Sequence, residues 1–265
     1  AEAEDLYRPF KPKRRTRASI AREKGLEPLA QSIFTQEKDT LSPSELAKPF
    51  VDPEKGVNTV DDALQGAADI IAETVADSAT LRKTLRNFLL MHGILKTESK
   101  PGADPVYEMY AAYSEPVAKI APHRVLAIDR GEREGALKVS LEADLERCRK
   151  TIVRDFVKEN TPCADFVRNA AFDGFSRLIF PSLEREVRSA LTEKAAEQAI
   201  RVFGVNLQQL LMQPPVKNAV TLGLDPAYRT GCKLAVVDAA GKVLDTAVIY
   251  PTPPQNKVGP AKEKC

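Results

Sequence analysis

This chain of 265 residues is poor in aromatic residues and in the cysteine pairs and histidines that form metal sites. It has no tryptophan, and aromatic residues make up only 6% of it, so a core must be built from aliphatic side chains, which favours helices. No two cysteines form a CxxC pair, and only two histidines are present, which argues against a zinc site. Scattered single cysteines suit reduced thiols in the cytosol. These residues are Cys148, Cys163, Cys232, Cys265, His92 and His123.

Other signatures are missing as well. No apolar run is long enough to span a membrane, and no N-terminal signal pattern is present. There is no phosphate-binding Walker motif and no GxSxG nucleophile motif. We therefore expect a cytoplasmic protein with no cofactor, no metal site and no membrane contact.

Charge is nearly balanced overall but unevenly distributed. The net charge of +2 is too small to indicate a partner. Residues 5–24, here called the basic segment, carry eight cations and only two acids. The cations are Arg8, Lys11, Lys13, Arg14, Arg15, Arg17, Arg22 and Lys24. Pro9 and Pro12 predict an extended first half for this segment.

Two interpretations of the basic segment remain open. Its cations can attract phosphate oxygens of nucleic acid without reading sequence, and Tyr7 and Phe10 can stack on bases. Alternatively, the same side chains pack and form ion pairs within the helical body. For the first interpretation, the candidate nucleic-acid-binding residues are Lys11, Lys13, Arg14, Arg15 and Arg17.

Most of the chain up to residue 213 has helical periodicity. Residues 59–93 repeat apolar positions every 3.6 residues, and the pattern fits one long helix or a helix–turn–helix-like pair broken at Asp77–Ser78. Residues 144–203 are also predicted to be helical, with restarts at Thr161–Pro162 and Pro181–Ser182. We expect Gly131 to end a helix that begins near residue 122, and residues 136–144 to form a short strand or an extended arm.

The pattern changes after residue 213. The Pro-rich stretch 214–218 is predicted to be a linker, and 219–265 the start of a second domain. Residues 220–251 are expected to form two strands, with Gly241 in the turn between them. The chain has no initiator methionine and stops one hairpin into this domain, so we expect a fragment. The predicted fold class is mainly α: a multi-helical region followed by the first β-hairpin of an α/β domain.

Asp225 ends the first predicted strand of that hairpin. Folds of the ribonuclease H-like and actin-like classes begin in this way, and in the nucleases the acid helps to hold a divalent cation. One carboxylate cannot do this alone, and Ala227 stands where a glycine would let the backbone approach a ligand. An aspartate before proline also organises turns. We therefore expect no catalysis.

Three long stretches together resemble the bacterial Tex family of transcription accessory proteins. They are "EDLYRPFKPKRRTRASIAREKGLEPLA", "YSEPVAKIAPHRVLAIDRGEREG" and "LGLDPAYRTGCKLAVVDAAGKVLDTAVIYPTPPQNKV". The resemblance implies a helical region with helix-turn-helix-like elements and then a YqgF domain of the ribonuclease H-like class. In the whole family protein, helix-hairpin-helix elements and an OB-fold RNA-binding domain would follow.

The resemblance also implies a function. Tex-like proteins bind RNA or DNA without strong sequence preference and act in transcription, and their YqgF domain is regarded as having lost nuclease activity. Asp225 falls at the first acid of the resolvase-like pattern and would be a vestigial active-site position. Tex relatives usually have "GLDPGYRTGCK", so Ala227 departs from the pattern. A metal-dependent structure-specific nuclease and a module that docks on the transcription machinery remain alternatives.

Overall fold

The computed structural model describes residues 2–11, 14–214, 216–227 and 229–265. The chain divides into two compact units, residues 1–201 and residues 202–265. Most residues of the first unit are helical, which confirms the mainly α prediction. Its helices are α1 (Glu2–Tyr7), α2 (Arg17–Glu23), α3 (Glu27–Thr35), α4 (Pro43–Ala47), α5 (Val60–Ala76), α6 (Ala79–His92), α7 (Pro122–Arg133), α8 (Leu145–Phe156), α9 (Ala164–Gly174) and α10 (Phe180–Leu211), whose last turns belong to the second unit.

Helix α5 is the centre of the first unit. It begins with a capping box, in which the Thr59 side chain accepts from the Asp62 amide and the Asp62 carboxylate accepts from the Thr59 amide. Small and branched side chains such as Ala67 and Ile71 are buried along it. Helices α2, α3, α4 and α9 pack on α5, which leaves it surrounded by apolar contacts.

The long periodic stretch is two helices. Helix α5 ends at Ala76, and Ser78 caps α6 by accepting a hydrogen bond from the Leu81 amide. The break falls at Asp77–Ser78, so the helix-pair interpretation is the one that the structure supports. Serine competes with the helical backbone for hydrogen bonds, which makes it a poor interior residue and a good cap.

A small antiparallel sheet is inserted between the helices. Its strands are β1 (Ile94–Ser99), β2 (Ala112–Pro116) and β3 (Leu137–Glu142), in the order β2-β1-β3. Strand β3 confirms the predicted strand, because Leu137, Val139 and Leu141 are buried in alternation. Strands β1 and β2 were not predicted. Both are short, β1 buries Thr97 as well as Leu95, and β2 buries none of its side chains fully, so neither shows the alternation of apolar and polar residue types that predicts a strand.

Gly131 lies inside α7 and does not end it, contrary to the prediction. A Cβ atom at this position would lie 2.7 Å from Leu137 Cδ1 and 2.9 Å from Tyr107 Cδ1. The glycine therefore serves close packing within the helix. The helix ends two residues before Gly135, whose φ of +79° is left-handed.

The predicted restart at Pro181 is also wrong, whereas the break at Thr161–Pro162 separates α8 from α9 as expected. The chain passes through a π-helical turn, Phe175–Ile179, and continues directly into α10. The amide of Phe180 donates to the carbonyl of Phe175, five residues earlier. A widened turn of this kind relieves the clash between a proline ring and the preceding turn.

The beginning of the chain is helical up to Phe10, where an extended segment had been predicted. Helix α1 is followed by a single 3-10 turn, Arg8–Phe10. Pro9 occupies an early position of this turn, where its missing amide is not needed. Asp5 of α1 is buried against α6.

Asp5, Arg82, Arg86 and Glu186 form a buried charge network joining α1, α6 and α10. The Arg82 side chain is only 1% exposed, and its Nε donates to Asp5 Oδ1 at 2.9 Å. One terminal nitrogen of Arg82 donates to Glu186 Oε1 at 2.6 Å and to the Ser182 hydroxyl at 2.8 Å. Arg86 contacts the second oxygens of Asp5 and Glu186 at 2.6 and 2.7 Å.

The second unit contains three strands, β4 (Thr221–Asp225), β5 (Cys232–Val237) and β6 (Val243–Ile249), and the helix α11 (Val258–Lys264). The hairpin with Gly241 in its turn is β5–β6, and β4 pairs antiparallel with β5 as a third strand. The first predicted strand is thus divided in two, because Pro226 cannot donate to a ladder and Gly231 turns the chain at φ +82°.

The charge network predicts a large effect of Arg82→Met on stability. The substitution leaves the buried Asp5 with Arg86 as its one remaining cation in the network, and breaking a buried pair from one side costs about 3–5 kcal/mol. We expect a lower urea midpoint, followed by far-UV circular dichroism. The control is Arg130→Met, which removes an exposed pair with Glu134. An Arg82 variant as stable as this control would contradict the assignment.

The second unit is predicted to have the weaker amide protection. Its buried apolar core consists of Cys232, Leu234, Ile249 and Ala261, whereas Leu222, Leu224, Val243 and Leu244 are exposed. A small sheet with one poorly covered face is marginally stable. In native-state hydrogen exchange, we expect the amides of β4–β6 to exchange faster than those of α5 and α6. Equal protection of both regions would show that this core is sufficient.

Candidate nucleic-acid interface

The predicted phosphate-binding cations differ in their surroundings. Lys13 lies outside the described residues. Lys11 Nζ pairs with Glu4 Oε1 at 2.8 Å, and Arg15 lies 3.7 Å from Glu23 while remaining 74% exposed. Arg14 and Arg17 are exposed and form no ion pair with a described residue. These two arginines are therefore the most available of the set for an external anion.

Other cations of the basic segment have structural partners. Arg22 contacts Glu73 at 2.6 Å and Glu27 at 2.7 Å. Burial opposes the charge on Arg22, but the hydrogen bonds and charges of Glu73 and Glu27 together outweigh it, and the pKa is raised. Lys24 donates to the Gly56 carbonyl at 2.8 Å. Arg22 and Lys24 therefore fit the second interpretation, in which cations of the basic segment form contacts within the helical body.

Thr16 holds the exposed arginines at the start of α2. Its side chain accepts from the Ser19 amide at 3.0 Å and lies 3.2 Å from Glu73 Oε1, to which its hydroxyl donates. This second bond ties the beginning of α2 to α5. Arg14 and Arg15 immediately precede Thr16, and Arg17 follows it, so all three are attached to a fixed point of the helical scaffold.

Two aromatic rings accompany the cations on the surface. Tyr7 is 53% exposed and Phe10 is 79% exposed. Proteins that bind single-stranded nucleic acid stack its bases on exposed aromatic rings that lie beside cations. The structure therefore leaves the two predicted stacking residues accessible.

Asp225 is the last residue of β4 and is exposed. Its register partner on β5 is Lys233. Asp245 of β6 is aligned with Val236, and side chains on β5 alternate in direction, so Asp245 belongs to the opposite face from Lys233. By register, strands β5 and β6 therefore direct the side chain of a cation, Lys233, to the face of Asp225, while Asp245 lines the same open cavity from the other face.

Buried thiols of the first unit are poorly suited to nucleophilic chemistry. Burial raises the pKa of Cys148 to about 11, and it also raises the pKa of Cys163. Because the thiolate is the reactive form, these side chains are inert at neutral pH. All four cysteines are free.

Neither a metal-ion site nor a membrane-spanning helix occurs in the described ranges. No group of three or more histidine, cysteine, aspartate or glutamate side chains there is arranged to hold a metal ion. No helix within these ranges is long and apolar enough to cross a membrane.

Helix α8 carries a further cluster of cations that was not predicted from the sequence. Arg149, Lys150 and Arg154 line a shallow groove together with Phe172 of α9. Lys150 and Arg154 are four residues apart, a spacing that places two side chains on one helical face and could have identified this pair. The ring of Phe172, by contrast, is brought there only by the packing of α9.

The fold defines a class of protein: a multi-helical scaffold that leads into the opening strands of a ribonuclease H-like domain. A family model for the Tex central region matches residues 38–203, and one for the Tex protein YqgF-like domain matches residues 219–265. The chain belongs to the Tex family.

Individual relatives agree with this assignment. The chain is 46% identical to the Bacillus subtilis protein YdcI, with 99% of the chain and 37% of YdcI covered. It is 40% identical to Protein tex of Bordetella pertussis, covering 95% of the chain and 34% of that protein. It is 36% identical to Transcriptional accessory protein Tex of Neisseria gonorrhoeae, covering 93% and 33%. The chain thus spans about a third of the length of these relatives.

Proposed function

We propose that the chain is a non-catalytic scaffold that binds RNA or DNA without sequence preference in transcription. The observation that carries this proposal is the exposure of Arg14 and Arg17, which have no ion-pair partner among the described residues. Cations placed in this way bind phosphate oxygens and read no bases. The name of the Neisseria relative, a transcriptional accessory protein, supports the cellular process.

Lys11 and Arg15 are proposed to act with these two arginines. Their ion pairs with Glu4 and Glu23 are exposed to solvent. Exposed pairs contribute little free energy, so a phosphate group can replace the carboxylate at small cost. Lys13 is included on the basis of the sequence alone. Contacts with the transcription machinery are part of the same proposal.

The proposal of a non-catalytic role rests on the surroundings of Asp225. Phosphoryl transfer assisted by two metal ions needs several converging carboxylates, whereas Asp225 is paired in register with Lys233. Ala227 adds a methyl group at the turn that follows. These features support a turn-organising role for Asp225 over metal binding.

The phosphate contacts can be tested with the triple variant Arg14→Ala/Arg15→Ala/Arg17→Ala. We expect weaker binding to every RNA and DNA sequence, because phosphate contacts carry no base information. The slope of log K against log salt should flatten by about 0.7–0.9 for each lost contact. Fluorescence anisotropy of labelled oligonucleotides at several salt concentrations measures both effects.

The matched control is Arg133→Ala/Arg185→Ala/Arg201→Ala, which removes the same charge from exposed positions elsewhere. A triple variant of the basic segment that folds and keeps the slope of the control would assign these arginines a structural role. A native chain that binds neither RNA nor DNA at low salt would favour a module that docks on protein partners.

Asp225→Asn provides the test of catalysis. We expect no cleavage of single strands, duplexes or four-way junctions with Mg²⁺ or Mn²⁺, before or after the substitution. Binding should change by less than about threefold, or roughly 0.7 kcal/mol, as for a solvated surface acid. Metal-dependent cleavage that disappears in the Asn variant would establish the nuclease alternative.

A further inference from the structure

The groove between α8 and α9 lies outside the basic segment. It has a volume of about 380 Å³ and is lined by Glu146, Arg149, Lys150, Val153, Arg154 and Phe172. Five of these residues come from α8 at spacings of three and four, so they share one face of that helix. The opposite side of α8 is anchored in the core by Cys148 and Ile152. The groove is therefore built on a helix with a fixed orientation.

Charge on α8 is predominantly positive. The helix carries four cations and two acids. Both acids are already compensated: Glu146 contacts Arg149 at 2.8 Å, and Asp155 contacts Arg154 at 2.8 Å. Lys150 is exposed and forms no ion pair within the described part of the chain. The four cations and two acids leave α8 with a net positive charge, and this net charge attracts anions.

Arg149 and Phe172 form the wall of the groove. The guanidinium carbon of Arg149 lies 5.5 Å from the centroid of the Phe172 ring, within cation–π distance. The buried Nε of Arg149 donates no hydrogen bond to a described acceptor. The guanidinium thus lies over the ring and is also held by its ion pair with Glu146.

We propose that this groove is a second nucleic-acid contact, which takes a single strand by its phosphate backbone. Lys150 and Arg154 are four residues apart, a rise of about 6 Å along the helix, so each can bind its own phosphate group. The stacked pair of Arg149 and Phe172 provides a platform for a base. This inference rests on the proposed function, since it names a further site for the same class of ligand.

A single strand fits the groove better than an acidic protein segment. Cations alone would attract either ligand, but a guanidinium beside an aromatic ring offers planar groups on which a base can stack. A rigid duplex shields its base faces and would use the cations only. The ring therefore distinguishes a single strand from the other two ligands.

The decisive variant is Lys150→Ala/Arg154→Ala. Alanine has the highest helix propensity, so α8 should be retained. We expect weaker binding of a labelled oligouridylate and a salt slope flattened by about 0.7 for each lost contact. The control is Lys38→Ala/Lys119→Ala, which removes the same charge from exposed positions elsewhere. A slope equal to that of the control would overturn the proposal.

Phe172→Leu tests the platform separately. It retains an apolar side chain of similar size but removes the ring, so binding of oligouridylate should weaken by about fivefold or more, given the ~1–3 kcal/mol of one stacked base. Binding of duplex DNA should stay unchanged. An equal loss for both probes would indicate a general packing defect and overturn the assignment of the ring.

Photocrosslinking keeps the site testable without any substitution. Oligouridylate containing 4-thiouridine should crosslink to peptides covering residues 149–172, and crosslinks confined to other regions would exclude the groove.

If Lys150→Ala/Arg154→Ala matches its control while the Arg14/Arg15/Arg17 variant loses slope, this inference fails and the proposed function stands. If the native chain binds polyglutamate and no nucleic acid, both fail.

Discussion

The burial of Arg82 is the constraint on which the arrangement of the first unit depends. A guanidinium that is 1% exposed is tolerable only if acceptors surround it, and Asp5 and Glu186 provide them from helices far apart in the chain. Helix α1 has only six residues and would be unstable alone. Its place is therefore fixed by this network, which also fixes where the basic segment begins.

Glu186 shows how the network maintains its charges. Burial alone would raise the pKa of Glu186, but hydrogen bonds from Arg86 and Arg82 and the charges of both outweigh it, and the pKa lies below its ordinary value of 4.5. A depressed carboxyl pKa contributes stability above the ordinary value. This contribution is lost as the pH falls through the pKa of the folded state. The helical scaffold is thus held by charges that are complete at neutral pH.

The sequence predicted the elements whose signals are local, and it missed those set by tertiary contacts. Capping residues and periodicity located the helical stretch of α5 and α6, and they left a break at Asp77–Ser78 as one of two alternatives. The predictions at Gly131 and Pro181 were wrong. Close packing against Leu137 explains the glycine inside α7, and a π-helical turn lets the helix continue through the proline. In the same way, the sequence identified a group of cations. The sequence could not show that Arg22 forms an ion pair within the fold, since its partner Glu73 is 51 residues away.

The two units differ in what they can support chemically. The first has a large aliphatic core that holds arginines at defined surface positions. The second presents one carboxylate, Asp225, beside Lys233, with Asp245 on the other face of the sheet. A divalent cation at Asp225 would meet one negative and one positive side chain, which gives little net attraction. On the face of Asp225, any further carboxylate would therefore have to come from outside β4–β6.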